Sequence, residues 1–123
     1  NGVDIIENRR IKKSIKNEKF IKRIYSNSEI IDSKKTQNKI NFFAKRFAAK
    51  EAFVKSIGTG FKYGINFNDI TIKNKKSGKP EILLNNKLKN LLKDRFKIKK
   101  FKISLSLADE NKYSIAFVII NKI

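Results

Sequence analysis

The alternation of apolar and polar positions begins at once. In GVDIIE, residues 2–7, Val3 and Ile5 fall on one face of an extended segment and Asp4 and Ile6 on the other, which predicts a short strand. From Asn8 to about Lys35 the spacing turns helical in three pieces, marked by Ile11 and Ile15, then Phe20, Ile21, Ile24 and Tyr25, then Ile30 and Ile31. Breaks are expected near Asn17 and Ser26-Asn27-Ser28, with Ser28 as the candidate cap of the third piece. Residues 38–57 predict one long helix. With Ile40 as origin and about 100° per residue, Phe43, Phe47 and Val54 lie within roughly 60° of it. Glu51 lies at about +20°, inside the apolar stripe. Gly58-Thr59-Gly60 ends the helix, because glycine enters left-handed backbone conformations without cost to a Cβ.

Beyond the glycines the period drops to two. Ile65, Phe67, Ile70 and Ile72 in INFNDITIK predict a strand, and Ser77-Gly78-Lys79-Pro80 a turn leading into a second short strand, EILL. Leu88, Leu91, Leu92 and Phe96 predict an amphipathic helix over NNKLKNLLKDRFK. The last stretch reads as a hairpin turning at Ala108 to Asn111. Its second strand is apolar on both faces from Ile115 to Ile120, as expected of a central strand or one covered by another subunit. No repeat or linker divides the chain. The expectation is a single domain over residues 1–123, of α+β class, with helices packed on a mainly antiparallel sheet.

Charge narrows the partners. Thirty Lys and Arg against eleven Asp and Glu give a net charge of +19, while 40% of residues are apolar and ten are Phe. That is a folded basic protein, suited to a polyanionic partner: nucleic acid, an anionic membrane, a phosphorylated small molecule or an acidic protein. Cys and His are absent, which excludes disulfides, thiolate nucleophiles, imidazole ligands and histidine-based triads. No apolar run approaches membrane-spanning length and no signal-peptide pattern opens the chain, so a cytoplasmic setting is expected.

The chemistry left to carboxylates, amines and hydroxyls concentrates on two residues. Asp4 and Glu51 each interrupt an apolar face. Taken singly, Asp4 is a strand-end residue capping a turn, and Glu51 pairs with Lys55 four residues on. Taken together, two carboxylates without imidazole or thiolate suit Mg²⁺, whose octahedron phosphate oxygens and waters complete, with Lys50 and Lys55 supplying charge for the phosphates. Gly58-Thr59-Gly60 adds a helix end whose N–H groups can approach a phosphate or an extended amide chain.

The order of these segments carries a resemblance. Through GVDIIE at the start, FAKRFAAKEAFVKSIGTG in the middle, GKP about twenty residues on and a closing ISLS, the sequence resembles the holo-acyl-carrier-protein synthase family of 4′-phosphopantetheinyl transferases, over nearly its whole length. The resemblance implies that fold, a homotrimer with its clefts between subunits, and coenzyme A and apo-acyl carrier protein as substrates. It implies Asp4 and Glu51 as ligands of Mg²⁺, with Glu51 and Lys55 catalytic and Lys55 near the diphosphate. It implies coenzyme A contacts from Arg46, Lys50, Lys55, Gly58, Thr59, Gly60, Gly78, Lys79, Pro80 and Ser104. The carrier, acidic along the helix after its modified serine, would dock on Arg9, Arg10 and Lys13, with Lys22 and Arg23 on the next segment. One position departs from the pattern: Leu107 stands where the family's final strand often carries a histidine. The rival reading is a noncatalytic nucleic-acid-binding module. Against it, Lys and Arg are spread over every segment and most Phe follow core periodicity, so neither nucleic acid nor a membrane is an expected partner.

Overall fold

The longest helix carries alanine where it meets the sheet, and that choice sets how closely the layers approach. In the computed structural model, which describes residues 1–123, helix α4 (Lys39–Ser56) presents Ala44, Ala48, Ala49 and Ala52, all fully buried. It lies across a three-stranded antiparallel sheet of order β1-β5-β4, formed by Gly2–Glu7, Tyr113–Lys122 and Phe101–Asp109. The approach is tightest at Gly2, where a Cβ would overlap the carbonyl oxygen of Ala52. Glycine there is a packing requirement that brings the start of β1 onto the second half of α4.

Three short helices, α1 (Asn8–Ser14), α2 (Glu18–Ile24) and α3 (Asn27–Ser33), connect β1 to α4. After α4 a 3₁₀ turn (Phe67–Asp69) leads into the hairpin β2 (Ile70–Asn74) and β3 (Pro80–Leu84), and α5 (Asn86–Phe96) precedes β4. The core gathers Ile6, Ile11, Ile24, Tyr25, Phe43, Phe53, Ile70, Ile72, Leu88, Leu92 and Val118 around α4. The α+β class expected of the sequence is the one observed. No helix is long and apolar enough to cross a membrane.

Three local expectations are corrected. Ser26, not Ser28, caps α3: its Oγ accepts from the Glu29 N–H at 3.4 Å while Glu29 Oε1 accepts from the Ser26 N–H at 2.9 Å, a reciprocal box. Ile65 and Phe67 precede the strand instead of belonging to it, because Asp69 Oδ2 accepts from the Asn66 N–H at 2.8 Å and closes a 3₁₀ turn. The hairpin turns at 110–112, with Ala108 and Asp109 still paired in β4.

Strand β5 is indeed central, and its two faces differ. Ser114, Ala116 and Val118 point inward and are buried, whereas Ile115, Phe117 and Ile119 point out at 39%, 40% and 37% exposure. The register sets Val3 opposite Phe117 and Ile5 opposite Ile115, so β1 extends the same apolar outer face.

Candidate active site

Strand β1 delivers Asp4 to α4 at the level of Glu51 and Lys55, which the helix places one turn apart on one side. Lys55 does not form the local pair with Glu51. Its Nζ crosses to β1 and donates to Asp4 Oδ1 at 2.9 Å and to the Val3 carbonyl at 3.3 Å. Glu51, half-buried, is left with no hydrogen bond or ion pair on the chain. Burial raises its proton affinity above the ordinary carboxylate range and the neighbouring Asp4 charge adds to this, while Lys55 and Arg10 act in the opposite sense. No group of three acidic, His or Cys side chains converges here. Two hard carboxylates with one uncompensated are a donor set that fits Mg²⁺, provided the remaining ligands come from water and a phosphorylated substrate.

The glycine loop behaves differently from expectation. Gly58 and Gly60 adopt φ of 76° and 58°, and the N–H groups of the loop close the helix: Gly58 to Lys55 O at 3.1 Å, Thr59 and Gly60 to Val54 O at 3.1 and 3.4 Å. Thr59 is buried and its hydroxyl donates to the Gly60 carbonyl at 2.7 Å. These N–H groups are therefore already used, and the loop offers a ligand its carbonyls and bare Cα surface.

A second cluster forms around Arg46. With Gly78, Lys79 and Pro80 from the β2–β3 turn, it lines a cleft of about 430 Å³ that also takes in Lys45, Asn74, Ser106 and Leu107. The Arg46 guanidinium is almost fully buried, 3.5 Å from the Phe42 ring centroid, and Nη1 donates to the Phe42 carbonyl at 3.4 Å. Its Nε is buried without a partner, the only such side-chain atom in the chain. A desolvated cation with an unused donor, beside two lysines, is prepared for an anion. Leu107 sits on this wall, so the missing histidine is missing where cations converge. Ser104 lies in the adjoining groove with Lys75, Lys79 and Glu81.

Lys50 leaves the set of ligand contacts. Its side chain is fully buried and Nζ donates to Glu29 Oε1 at 2.6 Å and to the carbonyls of Ile70, Ile24 and Phe67 at 2.6, 2.9 and 3.1 Å. Four acceptors saturate an ammonium, so none of its capacity is left for a phosphate. Burial lowers its pKa, against which Glu29 acts. In the sequence this lysine, beside Glu51, is indistinguishable from one facing a ligand; the difference is 100° of helix rotation.

On α1, Arg9, Arg10 and Lys13 line an open cleft of about 550 Å³ with Ile5, Ile6, Glu7, Ser14 and Tyr113. None of the three has an acidic partner within ion-pair distance. Lys22 and Arg23 are exposed on α2 and do not line it. Asn8, which the sequence reading passes over, anchors this helix. It is buried, its Nδ2 donates to the Glu110 carbonyl at 2.7 Å, and its Oδ1 accepts from the Ser114 hydroxyl at 2.7 Å. A lone asparagine after a strand gives no signal of this in sequence.

Residues 1–118 match the 4′-phosphopantetheinyl transferase superfamily. A holo-(acyl-carrier-protein) synthase of Pelagibacter ubique is 57% identical over 121 residues, covering 98% of this chain and 94% of its own. The crystal structure of the synthase from Neisseria meningitidis superposes with a TM-score of 0.89 at 36% identity, covering 98% of this chain and 96% of that one. The Helicobacter pylori synthase, solved in complex with coenzyme A, gives 0.82 at 32% identity over 98% of each chain. The chain belongs to the 4′-phosphopantetheinyl transferase superfamily and, within it, to the holo-acyl-carrier-protein synthases.

Proposed function

We propose that the chain transfers the 4′-phosphopantetheine group of coenzyme A to a serine of apo-acyl carrier protein. The observation that carries this reading is the meeting of Asp4, Glu51 and Lys55 at the β1–α4 contact, in a chain of this family. The serine Oγ bonds to the β-phosphorus of coenzyme A and the bond from that phosphorus to the bridging oxygen breaks. Adenosine 3′,5′-bisphosphate leaves with the electron pair. Asp4 and Glu51 would hold Mg²⁺, which supplies charge neutralisation to the diphosphate. Lys55 supplies a further positive charge beside the same carboxylates. Glu51, unpaired on the chain, is open to the metal, and the serine proton passes to solvent. Arg46 and Lys79, which line one cleft, bind the adenosine-bearing end.

The two clusters open on different sides of α4, since Arg46 and Glu51 lie about 140° apart around it. One chain thus presents two half-sites, and a trimer would join the halves of neighbouring copies. The apolar outer face of Val3, Ile5, Ile115, Phe117 and Ile119 supports that assembly. The carrier docks at the basic cleft of α1, adjacent to Glu51 through Arg10. The four Phe of α4, Phe42, Phe43, Phe47 and Phe53, are buried and offer nothing to nucleic acid. Incubation with coenzyme A, Mg²⁺ and apo-carrier, with the carrier weighed by mass spectrometry, tests the proposal. Wild type adds one phosphopantetheine, and Asp4→Ala and Glu51→Ala add none at wild-type fold. Transfer at near wild-type rate by either variant in saturating Mg²⁺ refutes the metal assignment.

A further inference from the structure

The position of Lys55 carries more than a static role. Its Nζ is 2.9 Å from Asp4 Oδ1, on one of the two oxygens through which Asp4 would hold a metal. The nearer partner along the helix, Glu51, is left open. We infer that Lys55 is an exchangeable internal cation, holding Asp4 while the site is empty of substrate and moving to the diphosphate when coenzyme A arrives.

Three features support exchange over a fixed brace. The Lys55 side chain is 52% exposed, so its bond to Asp4 competes with water and is a weak tie. Its second contact, to the Val3 carbonyl, is long at 3.3 Å and is not enough to fix the ammonium in place. The only other ammonium ever expected at this wall, Lys50, is locked in the core and cannot substitute. Of the two lysines flanking Glu51, only Lys55 is therefore free to move. A divalent ion taken up on the other Asp4 oxygen would lie close to that ammonium, and like charges repel, so the free protein holds a divalent ion poorly until an anionic substrate draws the ammonium away. Coenzyme A and the divalent ion then promote each other's binding, reciprocally as linkage requires.

This inference rests on the metal assignment of the proposed function, and the test separates the two. Mn²⁺ is titrated into full-length protein and free Mn²⁺ followed by its electron paramagnetic resonance signal, with and without coenzyme A. Without coenzyme A, Lys55→Gln is expected to bind Mn²⁺ at least fivefold more tightly than wild type, although the same variant transfers poorly. Lys55→Arg, which keeps the charge, is expected to bind as weakly as wild type. Coenzyme A improves Mn²⁺ affinity more in wild type than in Lys55→Gln. If wild type binds Mn²⁺ with coenzyme A but Lys55→Gln alone binds no more tightly than wild type alone, the exchange is overturned and the metal assignment stands. If the double variant Asp4→Asn, Glu51→Gln binds Mn²⁺ as wild type does in the presence of coenzyme A, both are overturned.

Discussion

Replacing Lys50 by Met separates a structural lysine from a ligand-binding one. Met roughly preserves the volume of the aliphatic stem, so no large cavity opens, but the ammonium is removed from four acceptors at 2.6 to 3.1 Å. Glu29, fully buried, keeps bonds from the N–H groups of Ser26 and Ile72 and loses its counter-charge. Removing one partner of a buried pair costs about 3–5 kcal/mol, because the other charge stays buried and uncompensated. Set against a total stability of about 5–15 kcal/mol, that is a large fraction of the whole. For a chain of this size it lowers the melting temperature by roughly 10–20 °C. Urea unfolding followed by circular dichroism, at one fixed protein concentration so that assembly does not shift the midpoint, measures the loss. Below the melting transition the folded protein should keep its KM for coenzyme A within about twofold, since Lys50 touches no ligand. Adding Glu29→Gln to Lys50→Met should recover part of the loss, as neighbours in one network couple. Unchanged stability with a raised KM for coenzyme A would refute the reasoning and return Lys50 to the ligand site.

Glu51→Gln should stabilise the substrate-free protein at neutral pH while abolishing transfer. The folded-state pKa of Glu51 is raised above its ordinary value near 4.5, so its favourable contribution is present below that value and lost as pH rises through the folded pKa. The variant's advantage in unfolding midpoint should therefore shrink as pH falls toward 4, and a constant difference would contradict it. Reversing Arg10 and Lys13 to Glu should raise KM for the carrier at least tenfold, equivalent to about 1.4 kcal/mol, with KM for coenzyme A nearly constant; equal losses for both substrates would contradict docking at α1. Leu107→His should tighten coenzyme A by up to roughly tenfold, the worth of one charge-assisted hydrogen bond, with the gain largest at mildly acidic pH because Lys45, Arg46 and Lys79 disfavour a charged imidazole. No tightening at pH 5.5 to 6 would show that this wall works without that contact. If the proposed trimer is built on this face, wild type should sediment as a trimer and Phe117→Asp as a smaller species, and a Phe117→Asp protein of unchanged mass would place the interface elsewhere.

Sequence by itself determined the elements that repeat a period. The spacing of Phe43, Phe47 and Val54 and the glycines at 58 and 60 gave α4 within a residue at each end, and alternation in GVDIIE gave β1 with Asp4 and Ile6 on one face. Periodicity is a local property, so local sequence reports it. The pairing of Asp4 with Glu51 was also legible, because each broke an apolar pattern and together they matched a family motif. Tertiary structure alone decided what each charged side chain faces. Lys50 and Lys55 are both lysines flanking Glu51 on one helix. The first meets Glu29 and three carbonyls brought in from α2, α3 and the 67–70 segment, and the second meets Asp4 across β1. Those partners lie 17 to 51 residues away in the chain. The same holds for Asn8, whose acceptors and donor sit in the β4–β5 hairpin over a hundred residues on. A side chain's desolvation and partners are set by which distant backbone packs against it, and one helix's periodicity holds no record of that.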